Sequence, residues 1–168
     1  MQSFHEIAPT DIPGNVFDMI GKRWMLVTAG SPSAFNTMTA SWGGLGTLWE
    51  RPVAFCFIRP QRYTLGFLEK SDRYTLSFYD DEKYRKALNI CGSKSGRDCD
   101  KVGEAGLTPA FAEGTVYFEQ ASLVLVCRKL AARPMDPSFF LDPAIEKYYP
   151  QKDYHKIFVG AIEKVLTK

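Results

Sequence analysis

The sequence predicts a mainly β fold, a small glycine-punctuated barrel with short α-helices around it. Three observations predict it. Short apolar runs recur from residue 24 to residue 165, bounded by Gly, Pro, Ser and Asp. The helical periodicities between them are brief. Aromatic residues make up 14% of the chain, and rigid rings in that number suit a packed pleated core, a flat ligand, or both. At 168 residues the chain is expected to form a single domain, residues 1–168, that needs no disulfide framework or structural metal to fold.

Residues 24–29 (WMLVTA) form an apolar strand stopped by Gly30, Ser31 and Pro32. Residues 39–49 (TASWGGLGTLW) follow as one strand whose glycines mark bends or bulges. Residues 53–58 (VAFCFI) are apolar at successive positions, as in a strand covered on both faces. Residues 62–70 favour a helix in which Tyr63 and Phe67 meet at i,i+4. Residues 73–79 alternate, with Tyr74, Leu76 and Phe78 on one face and Thr75, Ser77 and Tyr79 on the other. Residues 81–91 are the clearest helix: Asp80 or Asp81 caps it, Tyr84, Ala87, Leu88 and Cys91 share a face, Glu82 pairs with Lys86, and Gly92 is the stop. Residues 100–105 form a third helix, ended by Gly106. Residues 123–127 (LVLVC) and 157–165 (IFVGAIEKV) are strands. Between them, Pro134, Pro137, Pro143 and Pro150 keep residues 134–153 from staying regular for long.

Composition excludes several classes of function. Lys and Arg total 21 against 19 Asp and Glu, a net charge of +2, whereas a general nucleic-acid binder needs a strong basic excess. The longest apolar runs are far too short for a bilayer, so no membrane association is expected. Residues 1–14 carry Glu6 and Asp11 and lack the apolar run of a secretory signal. Cys56, Cys91, Cys99 and Cys127 form no CxxC pair, and only His5 and His155 could add imidazole, which argues against a closed zinc site. Cys56 and Cys127 lie in apolar runs and read as buried. Cys91 and Cys99 flank a Gly-rich loop as free thiols or as a redox-active pair. A reducing cytoplasm is the expected compartment.

Four stretches can carry chemistry. Residues 36–44 (NTMTASWGG) are either a hydrophilic hairpin or a segment that aims hydroxyls and backbone N–H groups at a polar ligand edge. Gly43, Gly44 and Gly46 do not open a helix, so they are not a dinucleotide loop. In residues 59–64 (RPQRYT), Arg59, Arg62 and Thr64 at a helix start form a phosphate cradle, unless the arginines are solvated or pair with Glu50, Glu69 or Asp72. Residues 91–101 (CGSKSGRDCDK) hold three cations between helices, as a second anion contact or as a solvated loop. His155 precedes the last strand, either as a satisfied structural residue or as a ligand contact and proton donor. Two histidines with no Ser or Cys elbow make a hydrolytic triad improbable.

Together, NTMTASWGG (36–44), PVAFCFIRPQRYT (52–64), CGSKSGRDCDK with EAGLTP (91–101, 104–109), LVLVCR (123–128) and DYHKIFVG (153–160) resemble the flavin reductase-like, FMN-binding split-barrel family, which includes flavoredoxin. The resemblance implies a split β-barrel of Greek-key type with non-covalent FMN, and a homodimer with flavin sites near the subunit interface. It matches Asn36, Thr37, Met38 and Thr39, continued by Ser41 and Trp42, to the loop bordering the isoalloxazine and ribityl-phosphate. Arg59, Arg62 and Thr64 match the phosphate segment, and Lys101 the lysine ending the SGRDxDK loop, with Ser95 and Arg97 as weaker matches. His155 matches the histidine near which a nicotinamide or partner would approach the ring. Longer relatives cover the flavin with a tail, for which Phe139, Phe140, Tyr148 and Tyr149 would substitute here.

The expected function is therefore an FMN-dependent oxidoreductase taking hydride from NAD(P)H, with His155 as its catalytic residue. The alternatives are an FMN electron-transfer protein that accepts electrons from a partner protein without using NAD(P)H, and a flavin-binding or sensing module.

Overall fold

The computed structural model describes residues 3–168, so the first two residues of the expected domain lie outside the described residues. Strands β1 (His5–Ile7), β2 (Met25–Ser31), β3 (Ala34–Ala40), β4 (Gly43–Leu48), β5 (Arg51–Ile58), β6 (Arg73–Phe78), β9 (Leu123–Pro134) and β10 (Lys156–Thr167) form one sheet. Strands β7 (Pro109–Ala112) and β8 (Thr115–Phe118) make a separate hairpin. The helices are α1 (Val16–Asp18), α2 (Thr64–Lys70), α3 (Arg85–Ser93) and α4 (Lys101–Glu104). The main sheet is antiparallel in the order β3-β2-β6-β9-β10-β5-β4, and β1 extends the edge of β10 beyond β5.

That order forces the sheet to curl. β3 and β4 sit at opposite ends of the path, yet only Ser41 and Trp42 connect them. Three Cα–Cα steps reach about 11 Å at most, so the two edges must approach there. They exchange no ladder hydrogen bonds, and the result is a barrel split along one seam.

Alternation fills the curl. Met25, Val27, Met38, Ala54, Cys56, Tyr74, Leu76, Leu125, Cys127 and Phe158 belong to one buried cluster. Residues of opposite parity, such as Leu26 and Val124, pack in a second cluster with Leu88 and Cys91 of α3 and Phe118 of β8. β2, β6 and the first half of β9 are thus buried on both faces, which explains the continuous apolar run in β9, whereas in β5 Phe55 and Phe57 are only half-buried on the face away from the first cluster. Gly160 of β10 leaves room for Tyr74: a Cβ there would collide with the Tyr74 hydroxyl and ring, both inside the core.

The structure corrects several expectations. Residues 39–49 are not one strand: β3 ends at Ala40, β4 starts at Gly43, and Trp49 and Glu50 turn into β5 with φ of 52° and 56°, as a type I′ hairpin requires. Gly92 lies inside α3 rather than stopping it, and Glu82 pairs with Arg85 instead of Lys86. Asp81 caps the turn before α3 by accepting from the Lys83 amide at 2.9 Å. β9 runs on to Pro134 because its second half, polar at the surface, still pairs with β10.

Candidate functional site

The seam of the barrel is where the predicted residues gather. Met38 and Thr39 come from the end of β3, Ser41 and Trp42 from the two-residue bridge, Arg59 and Arg62 from the loop between β5 and α2, and His155 from the residue just before β10. With Ala40 and Phe57 they line one cavity of about 270 Å³. Phe57 belongs to none of the motif positions singled out in the sequence, although strand alternation puts it on the same side as Arg59.

Asn36 and Lys101 line a second cavity, about 420 Å³, with Gly96. Asn36 is buried, and its Nδ2 donates to Thr64 Oγ1 at 2.8 Å, tying β3 to the first turn of α2. The loop crosses so close to Asn36 that a Cβ on Gly96 would press into its amide, which is the reason for glycine at that position. Thr37 and Thr64 are not on a cavity wall. Both are fully buried, and Thr37 shares a hydrogen bond of 2.8 Å with Thr28. Thr39 Oγ1 donates to the Leu88 carbonyl at 2.5 Å and joins β3 to α3. Ser95 accepts from the Arg97 amide at 3.2 Å, while the Arg97 guanidinium lies 4.7 Å above the Tyr63 ring, beside Arg62.

The cations divide sharply. Arg59 pairs with Asp153, donates to the Tyr148 carbonyl at 2.8 Å and lies 5.3 Å over the Tyr149 ring. Its partner is therefore none of the carboxylates that the sequence suggested. Nothing in the spacing could have found Asp153, which only the meeting of β5 and β10 brings near. Lys94 is paired with Glu104. Arg62 and Lys101 have no carboxylate partner among the described residues. Arg62 donates to the Gly92 carbonyl at 2.7 Å and to that of Cys91 at 3.3 Å. Lys101, only 3% exposed, reaches the carbonyls of Lys94 at 3.3 Å and Cys91 at 3.5 Å.

Burial lowers the pKa of both Arg62 and Lys101, and for Lys101 the nearby guanidinium lowers it further. The Cys91 thiol offers no compensating charge, because burial pushes it up to about 11. Cys99 is raised as well, first by desolvation, so neither thiol carries the thiolate character of a redox pair. Half-buried Arg62 and buried Lys101 thus share one carbonyl oxygen and have no carboxylate partner among the described residues, an arrangement that favours an anion.

His155 is 7% exposed. Its Nδ1 lies 2.8 Å from the Tyr149 hydroxyl, and its ring is 5.0 Å from that of Trp42. Burial first, then Arg59, lower its pKa to about 4, so at neutral pH it is uncharged. A neutral ring keeps one N–H donor and one bare nitrogen, so it is suited to a hydrogen-bonding contact rather than to a fixed positive charge. Of the aromatic residues expected to form a cover, Tyr149 is buried and stacks on Phe140 with centroids 6.1 Å apart, Tyr148 meets Trp42 edge-on at 5.5 Å, and Phe139 is exposed.

Comparison with known proteins fits this geometry. The flavin reductase like domain family matches residues 18–168. An FMN-binding domain of a flavin reductases-like enzyme from Shewanella baltica is 16% identical with a TM-score of 0.70, covering 98% of this chain and 77% of that one. An FMN-binding protein from Thermus thermophilus is 24% identical with a TM-score of 0.69, covering 100% and 82%. The flavoredoxin of Methanosarcina acetivorans is 20% identical with a TM-score of 0.67, covering 96% and 76%. A search of curated proteins finds no match. The solved structures share the split-barrel fold, and the family match over residues 18–168 shows that the chain belongs to the flavin reductase like domain family.

Proposed function

We propose that the protein is an FMN-dependent oxidoreductase that takes hydride from NAD(P)H and passes the reducing equivalents to an acceptor. The observation that carries this reading is half-buried Arg62 and buried Lys101, which share the Cys91 carbonyl and have no carboxylate partner among the described residues, Arg62 on the wall of the cavity with Met38 and Trp42 and Lys101 on that of the second cavity. A phosphate dianion is the ligand that such a pair lacks. Arg62 and Lys101 would hold it, while Arg59, already neutralised by Asp153, clamps the segment before β10 against the end of β5. Thr39 and Ser41 with their backbone would border the polar edge of a flat ring, and Trp42 or Met38 would cover a face. Bound FMN would supply a hydride acceptor at N5 and a store for two electrons.

β4 is a strand paired with β5 throughout, so its glycines form no nicotinamide-nucleotide loop. NAD(P)H would then have to stack directly in the cavity, whose rim exposes Trp42 and Tyr148. Those rings, with exposed Phe139 and Leu141 on the adjoining segment, suit a second copy of the chain that completes the site. Four free thiols suit a reducing cytoplasm.

One absorbance spectrum with added FMN, followed by NADH and NADPH titration, tests the proposal. A protein that stays colourless and shows no FMN-dependent NAD(P)H oxidation refutes it. The absence of a nucleotide loop favours a second reading, a flavoredoxin-like electron carrier. That reading expects bound FMN, reduction by a protein donor such as ferredoxin, and negligible NAD(P)H oxidation.

A further inference from the structure

We propose that Tyr149 is the positioning residue for His155, holding its imidazole in the Nε2–H form so that the cavity at the seam faces a fixed hydrogen-bond donor. The inference rests on reading that cavity as the reaction site. The phenol has two acceptors within reach, His155 Nδ1 at 2.8 Å and Met135 Sδ at 3.4 Å. A thioether is a weak acceptor, whereas an unprotonated imidazole nitrogen is a good one. The O–H therefore goes to Nδ1, which must be bare, and the single ring proton of the neutral histidine sits on Nε2. No protein group among the described residues bonds Nε2, and His155 lines the cavity.

The phenol cannot turn away. Tyr149 is 4% exposed, stacks on Phe140, meets the His155 ring edge-on at 5.5 Å and lies under the Arg59 guanidinium. Burial raises its pKa, so it stays protonated and remains a donor. Arg59 from the end of β5 and Asp153 from the segment before β10 are the charged groups near the imidazole, and they pair with each other. Trp42 and Tyr148 add only neutral rings. A donor held in this way recognises a carbonyl oxygen or an oxyanion and rejects a ligand that presents an N–H or O–H there.

Nitrogen-15 spectroscopy of histidine-labelled protein tests the assignment without any flavin. The chain has two histidines, and His5 is exposed, so the rings are readily told apart. The wild-type His155 signals should show a protonated Nε2 and a bare Nδ1, unchanged from pH 8 to pH 5. In Tyr149→Phe, which keeps the ring stacked on Phe140, the two signals should move toward each other as both tautomers populate. A proton on Nδ1 in the wild type, or an unshifted spectrum in Tyr149→Phe, overturns the proposal. A proton on Nδ1 in the wild type overturns the proposal even if the variant fails to fold. An FMN titration of the same samples reports separately on the proposed function: a fixed tautomer in a protein that binds no flavin upholds the positioning role and refutes the redox reading.

Discussion

Replacing Arg62 with Ala removes one of the two uncompensated cations. In the native chain its guanidinium spends two donors on the Gly92 and Cys91 carbonyls, at 2.7 and 3.3 Å, and the rest remain for an anion. A hydrogen bond to a charged group is worth about 1.5–3 kcal/mol net. At 1.36 kcal/mol per factor of ten, a loss of 2–3 kcal/mol weakens FMN roughly 30- to 150-fold. Riboflavin has the same ring without the phosphate, so its affinity should change less than about threefold. The readout is the ratio of the two dissociation constants from flavin fluorescence titration. That ratio matters because Arg62 also braces the end of α3, and a general loosening of the site would weaken both flavins alike. Equal losses for FMN and riboflavin would refute the phosphate assignment. Arg62→Lys, which keeps the charge but loses the planar fork, should recover part of the FMN affinity and none of the geometry.

Three further outcomes are expected. Lys101→Met replaces a buried, unpaired ammonium with an apolar chain of similar length, so the flavin-free protein should gain about 1 kcal/mol or more in urea unfolding while FMN binding weakens; a loss of stability would show that the carbonyl contacts already compensate the charge. His155 binds its proton less readily folded, at about 4, than unfolded, near 6.5, so its contribution is present above pH 6.5 and is lost as pH falls toward 4. The wild type should therefore lose up to about 3 kcal/mol more than His155→Phe between pH 7 and pH 4, and parallel stability profiles for the two would contradict a buried neutral imidazole. Gly160→Ala drives a methyl into the Tyr74 hydroxyl and should cost about 1–3 kcal/mol by thermal unfolding, whereas an unchanged midpoint would mean the core is looser there than the packing shows.

How much was legible in the sequence follows the range of the interaction. The strands of the central sheet and the face assignment in β6 rest on local alternation, and the structure keeps them. Tyr63 does meet Phe67, at 5.2 Å, because i,i+4 geometry is local. The break at Ser41 and Trp42 was not legible, because an apolar, glycine-containing run does not reveal where a strand changes partner. The hairpin of β7 and β8 was also missed, since four-residue strands around a Glu113–Gly114 turn carry little period. At the site, the fold brings Met38, Thr39, Ser41, Trp42, Arg59, Arg62 and His155, of the residues that the resemblance matches, to one cavity at the seam. The resemblance did not separate Thr37 and Thr64, which are fully buried, from Thr39 and Ser41, which line the cavity. Hydroxyl residues at adjacent positions look alike until a register divides them.

Arg59 and Arg62 make the same point about charge. Three residues apart in one loop, they are indistinguishable by composition, and net charge counts them equally. The fold then places Asp153 against Arg59 and only backbone carbonyls against Arg62. One arginine becomes a brace and the other an unmet charge, which desolvation makes costly unless an anion arrives. Lys94 and Lys101 divide in the same way, with Glu104 taking the first and leaving the second buried. A chain of net charge +2 can thus hold a strongly selective anion site, because selectivity depends on which cations the fold leaves without partners. Binding would then draw on free energy that folding left unspent at Arg62 and Lys101, so the same two residues that favour the ligand should be those that most limit the stability of the empty protein.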